Sequence, residues 1–400
     1  VKKEEGGRTS EEGAGARSID GGFRESTFIL ETSAGGEVVV AGSRVGAPES
    51  AGPQVARFTF EAVELRPALI NGHDHLALNH FPRLGAPPYP NLYAWAEEVQ
   101  ERYTDEVSRG REFPRHHALL FGALKNLLGG AARVAHHGAW DAAFAVDFPV
   151  AVEPTRILHS LGLEPDLDEV PGPPGIHEGA GPGRPLAMHL AEGVDERARG
   201  EVEEAARRGL LGPNLLAVHL VGVDEAGSEL LRRSGAAFVW CPSSNLHLYG
   251  RTAPECLFRG GIDVILGSDS LLSGEGTLLD EIRVARDTGL LDDEGLEASV
   301  TSVPALRLGR DPPSLDPGAP AHLLLLRRPL LEARPVDVVL VLVAGRPRYG
   351  DPATAELFRL TGVEAETLEV GGEEKLVMAP LGRVARRVVE RVPQCGRIFR

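Results

Sequence analysis

The feature that most limits what this chain can fold into is a recurring one. Short apolar runs, suited to strands, appear at 186–189, 215–220, 236–240 and 263–266, about 20 to 30 residues apart. That interval is the length of one strand–helix unit. Helical spacing fills the ground before them. Leu92, Trp95, Val99 and Tyr103 follow the capping pair Pro90-Asn91, Leu120, Leu124 and Leu127 precede Gly129-Gly130, and Val202, Ala205 and Ala206 mark a third helix. The alternating stretch, residues 67–312, is close to the roughly 250 residues of a (β/α)8 barrel. The fold class expected is therefore α/β, with a TIM-type barrel at its centre.

One unit of that barrel is expected to be degenerate. Only about 35 residues lie between the third strand at 150–152 and the run at 186, too few for two full units. The fourth strand is then very short, or hidden in the Gly/Pro-rich stretch 171–185. Short β-type runs at 27–30, 38–40 and 58–60 have counterparts at 321–327 and 336–343, which predicts a small β domain built from 26–66 and 313–350. Residues 1–25 are polar, Gly-rich and without periodicity, and are expected to form a disordered leader. The tail, 351–400, carries an amphipathic helix in which Leu381, Val384, Val388 and Val392 oppose Arg383, Arg386, Arg387 and Arg391. A helix packed on the body or on a second subunit explains this pattern, and a membrane-surface helix is the alternative.

Charge and cysteine content narrow the function classes. A net charge of -16 and a pI near 5.3 oppose nucleic acid or an anionic membrane as partner and leave a small-molecule substrate. Cys241, Cys256 and Cys395 are far apart and form neither a disulfide framework nor a zinc ribbon. With no apolar signal segment, a cytoplasmic protein is expected, and homo-oligomerisation stays open.

Four elements carry the chemistry. The strand-like run 67–75 ends in His73-Asp74-His75, and two-residue spacing on a strand puts both imidazoles on one face, able to grip one cation. His189 closes the next apolar run, with Glu192 three residues on; His219 closes another; Asp269 follows the run 263–266 in a Ser-rich turn. Singly, each has an ordinary explanation as a core or loop residue. Jointly, they stand at the C-terminal ends of parallel-type strands, the face on which barrels build their sites.

These stretches resemble the amidohydrolase superfamily, and within it the chlorohydrolase and aminohydrolase branch of triazine hydrolases and guanine, cytosine and S-adenosylhomocysteine deaminases. The resemblance is carried by LINGHDHL (69–76), MHLAEG (188–193), AVHLVGVD (217–224), WCPSSNLHLYGRTAP (240–254), GGIDVILGSDS (260–270) and DEIRVARDTG (280–289). It implies that His73, His75, His189 and Asp269 ligate one divalent metal ion, zinc first and ferrous iron as the alternative. Glu192, His219 and Asp269 would be catalytic, hydrolysing a non-peptide C–N bond, foremost by deaminating an amino-substituted heterocycle. Opening of a cyclic amide, hydrolytic dehalogenation at the same site, and a noncatalytic metal-binding relative are the competing readings.

Binuclear relatives bridge their metals with a lysine at the fourth strand. No lysine occurs between Lys125 and Lys375, and Lys125 sits in a helical pattern, so a mononuclear site is expected, with a glutamate bridge from Glu153 or Glu178 as the alternative. The chain departs from the family pattern in three places: Ala68 replaces the usual glycine, Asp74 a small or hydroxyl residue, and Ala132-Arg133-Val134-Ala135-His136-His137 a Gly-Val-Thr-Thr-like run on the second strand. His80, His136, His137, Ser243 and Asn245 are candidates for substrate binding, with His136 and His137 open to a structural role and Ser243 and Asn245 to holding a loop. Cys241 is expected to be buried and inert.

Overall fold

A computed structural model describes residues 26–163 and 184–400; the expected leader, Glu178 and most of 171–185 lie outside those residues. The first barrel strand, Leu69–Asp74, runs parallel to Ala131–His136, which pairs in parallel with Ala151–Glu153. A second parallel set runs Arg156–Leu158, Leu186–Leu190, Leu215–His219, Ala237–Trp240 and Val264–Leu266, each bonded to the next. The fold is mixed α/β. Each expected helix forms: Asn91 caps Leu92–Arg102 by accepting from Ala94 N at 2.9 Å, Arg115–Leu128 stops at Gly129-Gly130, and Glu196–Arg207 begins at Asp195, whose side chain accepts from Ala198 N.

The short interval before Leu186 has a plain solution. Between Ala151–Glu153 and Arg156–Leu158 stand only Pro154 and Thr155, which cannot make a crossover. One extended stretch, 151–158, therefore pairs with its neighbour on one side through Val152↔Val134 and on the other through Ile157↔Ala187.

The first and last strands meet at a seam where the chains nearly touch. A Cβ on Gly72 would stand 2.1 Å from Ile265 Cγ2 and 2.9 Å from Leu266 O, and one on Gly267 would stand 2.6 Å from His73 Cβ. Glycine is what lets these backbones approach. Among the described residues no strand ladder links the two, and Asp269 N donating to His73 O at 3.0 Å bridges them instead.

Outside the barrel lie two further sheets. Thr27–Thr32, Glu37–Ala41, Arg44–Gly46 and Ala56–Phe60 form one; Glu64–Pro67, Leu323–Leu326, Val338–Val343, Arg346–Gly350, Ala365–Val370 and Glu373–Met378 form the other. Phe28, Leu30 and Val40 from the first pack with Leu323, Leu325 and Leu342 from the second. Both ends of the chain thus build this β part, but the boundary drawn at 350 does not hold. Tyr349↔Val377 pairing carries the sheet into the tail, whose two strands alternate exposed and buried residues in place of the long apolar runs that mark the others.

The amphipathic helix is Leu381–Arg391. Leu381, Val384, Ala385 and Val388 are buried in the main core, against the Arg115–Leu128 helix, while Arg383, Arg386, Arg387 and Arg391 face out. Its apolar stripe is already covered by the body of the protein, which removes the membrane-surface reading. No helix among the described residues is long and apolar enough to cross a membrane.

Candidate functional site

At the C-terminal mouth of the strands, the ring nitrogens of three histidines and one carboxylate oxygen converge. His189 Nε2 stands 3.3 Å from His73 Nε2 and 3.4 Å from His75 Nε2, and Asp269 Oδ1 stands 3.9 Å and 3.8 Å from those two. Donors bound to a zinc-type ion at about 2.0–2.2 Å lie roughly 3–4 Å apart, and these spacings are of that order; His73, His75 and Asp269 form one group with their donor atoms within 4.8 Å of one another. His219, with His73 and His189, forms a second converging triad. Its Nε2 lies 3.7 Å from Glu192 Oε1.

Burial sets the protonation states. His73 and His189 are held well below the usual imidazole range, by loss of water and then by neighbouring rings, and burial lowers His75 to about 4 against the opposing pull of Asp269. Imidazoles that stay neutral are free to ligate. Burial pushes Glu192 up. It pushes Asp269 up too, but His75, His219 and hydrogen bonds from Ser244 and Ser273 outweigh it and leave that carboxyl below its ordinary value.

The helix Pro242–Tyr249 grips the site from behind. Ser244 Oγ donates to Asp269 Oδ2 at 2.7 Å, Asn245 Oδ1 accepts from His219 Nδ1 at 2.8 Å, and Tyr249 OH donates to Glu192 Oε1 at 2.8 Å. That bond fixes the His219 ring with Nε2 facing the site. Glu192 Oε2 is buried and has no hydrogen-bond partner among the described residues. Ala191, His219, Leu220 and Asp269 all take positive φ, between 48° and 75°, so the backbone turns sharply where these strands deliver their side chains.

Of the five substrate-binding candidates, His80 alone lines the cavity over this site, and its Nε2 is 3.0 Å from Gly110 O. His136 and His137 are buried and away from the cavity lining. His137 stacks on His189 with ring centroids 4.3 Å apart, and His136 Nδ1 meets Leu76 N at 3.2 Å. His137, just past the strand end, packs its ring against those of His73 and His75, with centroids 5.0 Å away in each case. Ser243 and Asn245 likewise do not line the cavity: Ser243 bonds to Glu281 and Asn245 to His219. Cys241 is fully buried, and burial pushes its thiol well up. Glu153 is engaged by Arg133 at 2.7 Å and Arg310 at 3.2 Å and belongs to neither group of converging side chains.

The cavity encloses about 590 Å³ and has His75, His189, Glu192, His219 and Asp269 among its lining residues. Its outer wall is apolar, with Leu84, Trp95, Val99, Phe113 and Leu272, and includes Arg111 and Arg115. Sequence reading missed His159 in this lining, the Tyr249 contact, and Lys125. Far from being remote, Lys125 is fully buried with Nζ 3.2 Å from Asp74 Oδ2. The helical spacing placed Lys125 on a helix but could not show which strand that helix covers.

No family model matches the chain. It is 34% identical over 143 residues to a 5-methylthioadenosine/S-adenosylhomocysteine deaminase of Halobacterium salinarum, a match that covers 33% of each chain. The chain thus spans about a third of that relative's length. An adenosine deaminase from Xanthomonas campestris with bound zinc superimposes with a TM-score of 0.58 at 20% identity, over 82% of this chain and 92% of the other. An atrazine chlorohydrolase from Arthrobacter aurescens TC1 complexed with zinc gives 0.57 at 18% identity, over 82% and 95%. The fold is the TIM-barrel fold of those solved structures, and the matched third of the chain is similar in sequence to the Halobacterium salinarum deaminase.

Proposed function

We propose that this protein is a metal-dependent hydrolase that deaminates an amino-substituted heterocycle. The observation that carries this reading is the convergence of His73, His75, His189 and Asp269 on one point, with Glu192 and His219 beside it on a cavity floor. A divalent ion held by those four, zinc first and ferrous iron second, would supply water acidified toward a pKa of about 7 and so a nucleophile at neutral pH. His219, its Nδ1 held by Asn245 Oδ1, would orient that water through Nε2. Asp269, with Oδ2 held by Ser244 and Ser273, would accept a proton. Glu192, its carboxyl pushed up by burial, would deliver a proton from Oε2, the oxygen without a hydrogen-bond partner among the described residues, to the amine nitrogen as the C–N bond breaks and a C–O bond forms. Ammonia leaves, and the ring carbon carries the oxygen.

The barrel scheme we infer is (β/α)8 with its fourth unit degenerate, the stretch 151–158 serving two positions, and a mononuclear site. The apolar wall favours a heterocycle bearing an apolar substituent, taken as a small molecule from the cytoplasm. The test is ammonia release by protein of defined metal content across aminopurine nucleosides, aminopyrimidines and aminotriazines, with halide release and cyclic-amide opening measured alongside. Zinc near one per chain and ammonia from at least one class are expected. Glu192→Ala should lower kcat by about 10²–10⁴ with zinc retained; full turnover in that variant would sink the mechanism. Absence of stoichiometric metal after reconstitution with zinc or iron would sink the whole reading.

A further inference from the structure

The residue between the two ligating histidines points the other way. Asp74 is fully buried, its side chain turned from the cavity toward the Arg115–Leu128 helix, and Oδ2 accepts from Asn126 Nδ2 at 2.6 Å while lying 3.2 Å from Lys125 Nζ. Oδ1 accepts from Asn79 Nδ2 at 2.9 Å. The same Lys125 ammonium donates to the backbone carbonyl of Asp269, a residue held at φ 50°. Asn126 Oδ1 accepts from Asn71 Nδ2, which also donates to Ser268 Oγ at 2.7 Å, and Asn71 Oδ1 accepts from Ser268 N at 3.0 Å. Asn79 Oδ1 closes the circuit on Leu271 N at 3.0 Å.

This network lies across the seam between the first and last strands, where, among the described residues, no ladder fixes their separation. Two of the converging ligands come from one side of the seam, His73 and His75, and one from the other, Asp269. Their mutual spacing is therefore set by whatever ties the two edges. A buried ammonium that bonds to one edge through a carboxylate and to the other through a carbonyl is such a tie. An ion pair this enclosed is a poor source of stability, because the desolvation of both charges offsets their attraction, so its use lies in geometry.

We propose that Asp74 and Lys125 form a positioning unit for the metal site, holding the two imidazoles and the Asp269 carboxylate at ligating distance. This rests on the metal-site reading above. The experiment compares wild type, Lys125→Met, Asp74→Asn and the double variant by zinc affinity of the metal-free protein in chelator competition, by the visible absorption of the cobalt(II)-loaded protein, and by circular dichroism for folding. Loss of outer-sphere support typically lowers metal affinity about 10- to 100-fold. That loss is expected in each single variant, with altered cobalt bands, and the double variant should be no worse than the poorer single one because the pair acts as one. Folded variants with wild-type zinc affinity and unchanged cobalt bands, or additive losses in the double variant, would overturn the proposal. Should Lys125→Met fail to fold, Asp74→Asn, which keeps the side-chain shape and the lysine, decides on the same readouts. Wild-type protein that binds no zinc would overturn the metal-site reading and this proposal together, whereas intact wild-type binding with unaffected variants overturns this proposal alone.

Discussion

At the scale of single residues, Tyr249 gives a sharp test of how Glu192 is tuned. Its hydroxyl donates to Oε1, a bond that favours the charged carboxylate and works against the upward push of burial. Tyr249→Phe removes that bond, so the pKa of Glu192 should rise further and the limb of the pH–rate profile that reports it should move to higher pH. A fall in kcat of about 10-fold with little change in KM is expected. An unmoved limb would show that Glu192 does not govern the profile. Neither the tyrosine nor its partner is close in sequence, and the apolar spacing around residue 249 says only that the position is covered.

At the scale of elements, two contacts between neighbouring segments make separate predictions. Helix Leu278–Thr288 carries Glu281, fully buried and raised by burial to about 8, its carboxyl bonded to the backbone N and Oγ of Ser243. In the unfolded chain this group titrates near 4.5. Between these values the native state holds a proton that the unfolded state has lost, so Glu281 makes stability fall as pH rises, by at most about 1.4 kcal/mol per pH unit. Its contribution is fully present below about 4.5 and lost as pH rises through about 8. Glu281→Gln should flatten that fall, measured by urea denaturation at several pH values; an unchanged slope would contradict the assignment. At the seam, Gly72→Ala sets a methyl against Ile265 and the Leu266 carbonyl. A loss of about 1–3 kcal/mol is expected from such overpacking, together with weaker zinc binding, since the strand that moves carries His73 and His75.

At the scale of the whole molecule, the C-terminal segment belongs to the site's support. Arg397 donates to the carbonyls of Leu271, Gly274 and Glu275, and Cys395 Sγ lies 3.5 Å and 3.4 Å from the carbonyls of Asn79 and Phe81. Those carbonyls sit on the loops that follow the first and last barrel strands. Arg397→Ala should therefore raise KM and speed hydrogen exchange in 269–275 while leaving the distant sheet containing Thr27–Thr32 unaffected. Uniform exchange in both regions would argue against this coupling. The sequence showed a tail helix suited to packing on the body but not these contacts, because the anchoring bonds end on backbone carbonyls, which every residue has and no motif marks.

The sequence alone determined the units of this protein. Apolar runs at regular intervals specified parallel strands, capping residues started the helices, and residues closing those runs named His73, His75, His189, Glu192, His219 and Asp269, because strand period and helix caps are local properties of a chain. Tertiary structure alone decided what surrounds them. That His136 and His137 are buried off the cavity lining, that 151–158 serves two neighbours, that Lys125 spans the seam to Asp269, and that one helix holds Asp269, His219 and Glu192 at once all depend on which segments meet in space. Those meetings are set by closure of the barrel and by the covering of buried charge, and neither leaves a periodicity in the sequence.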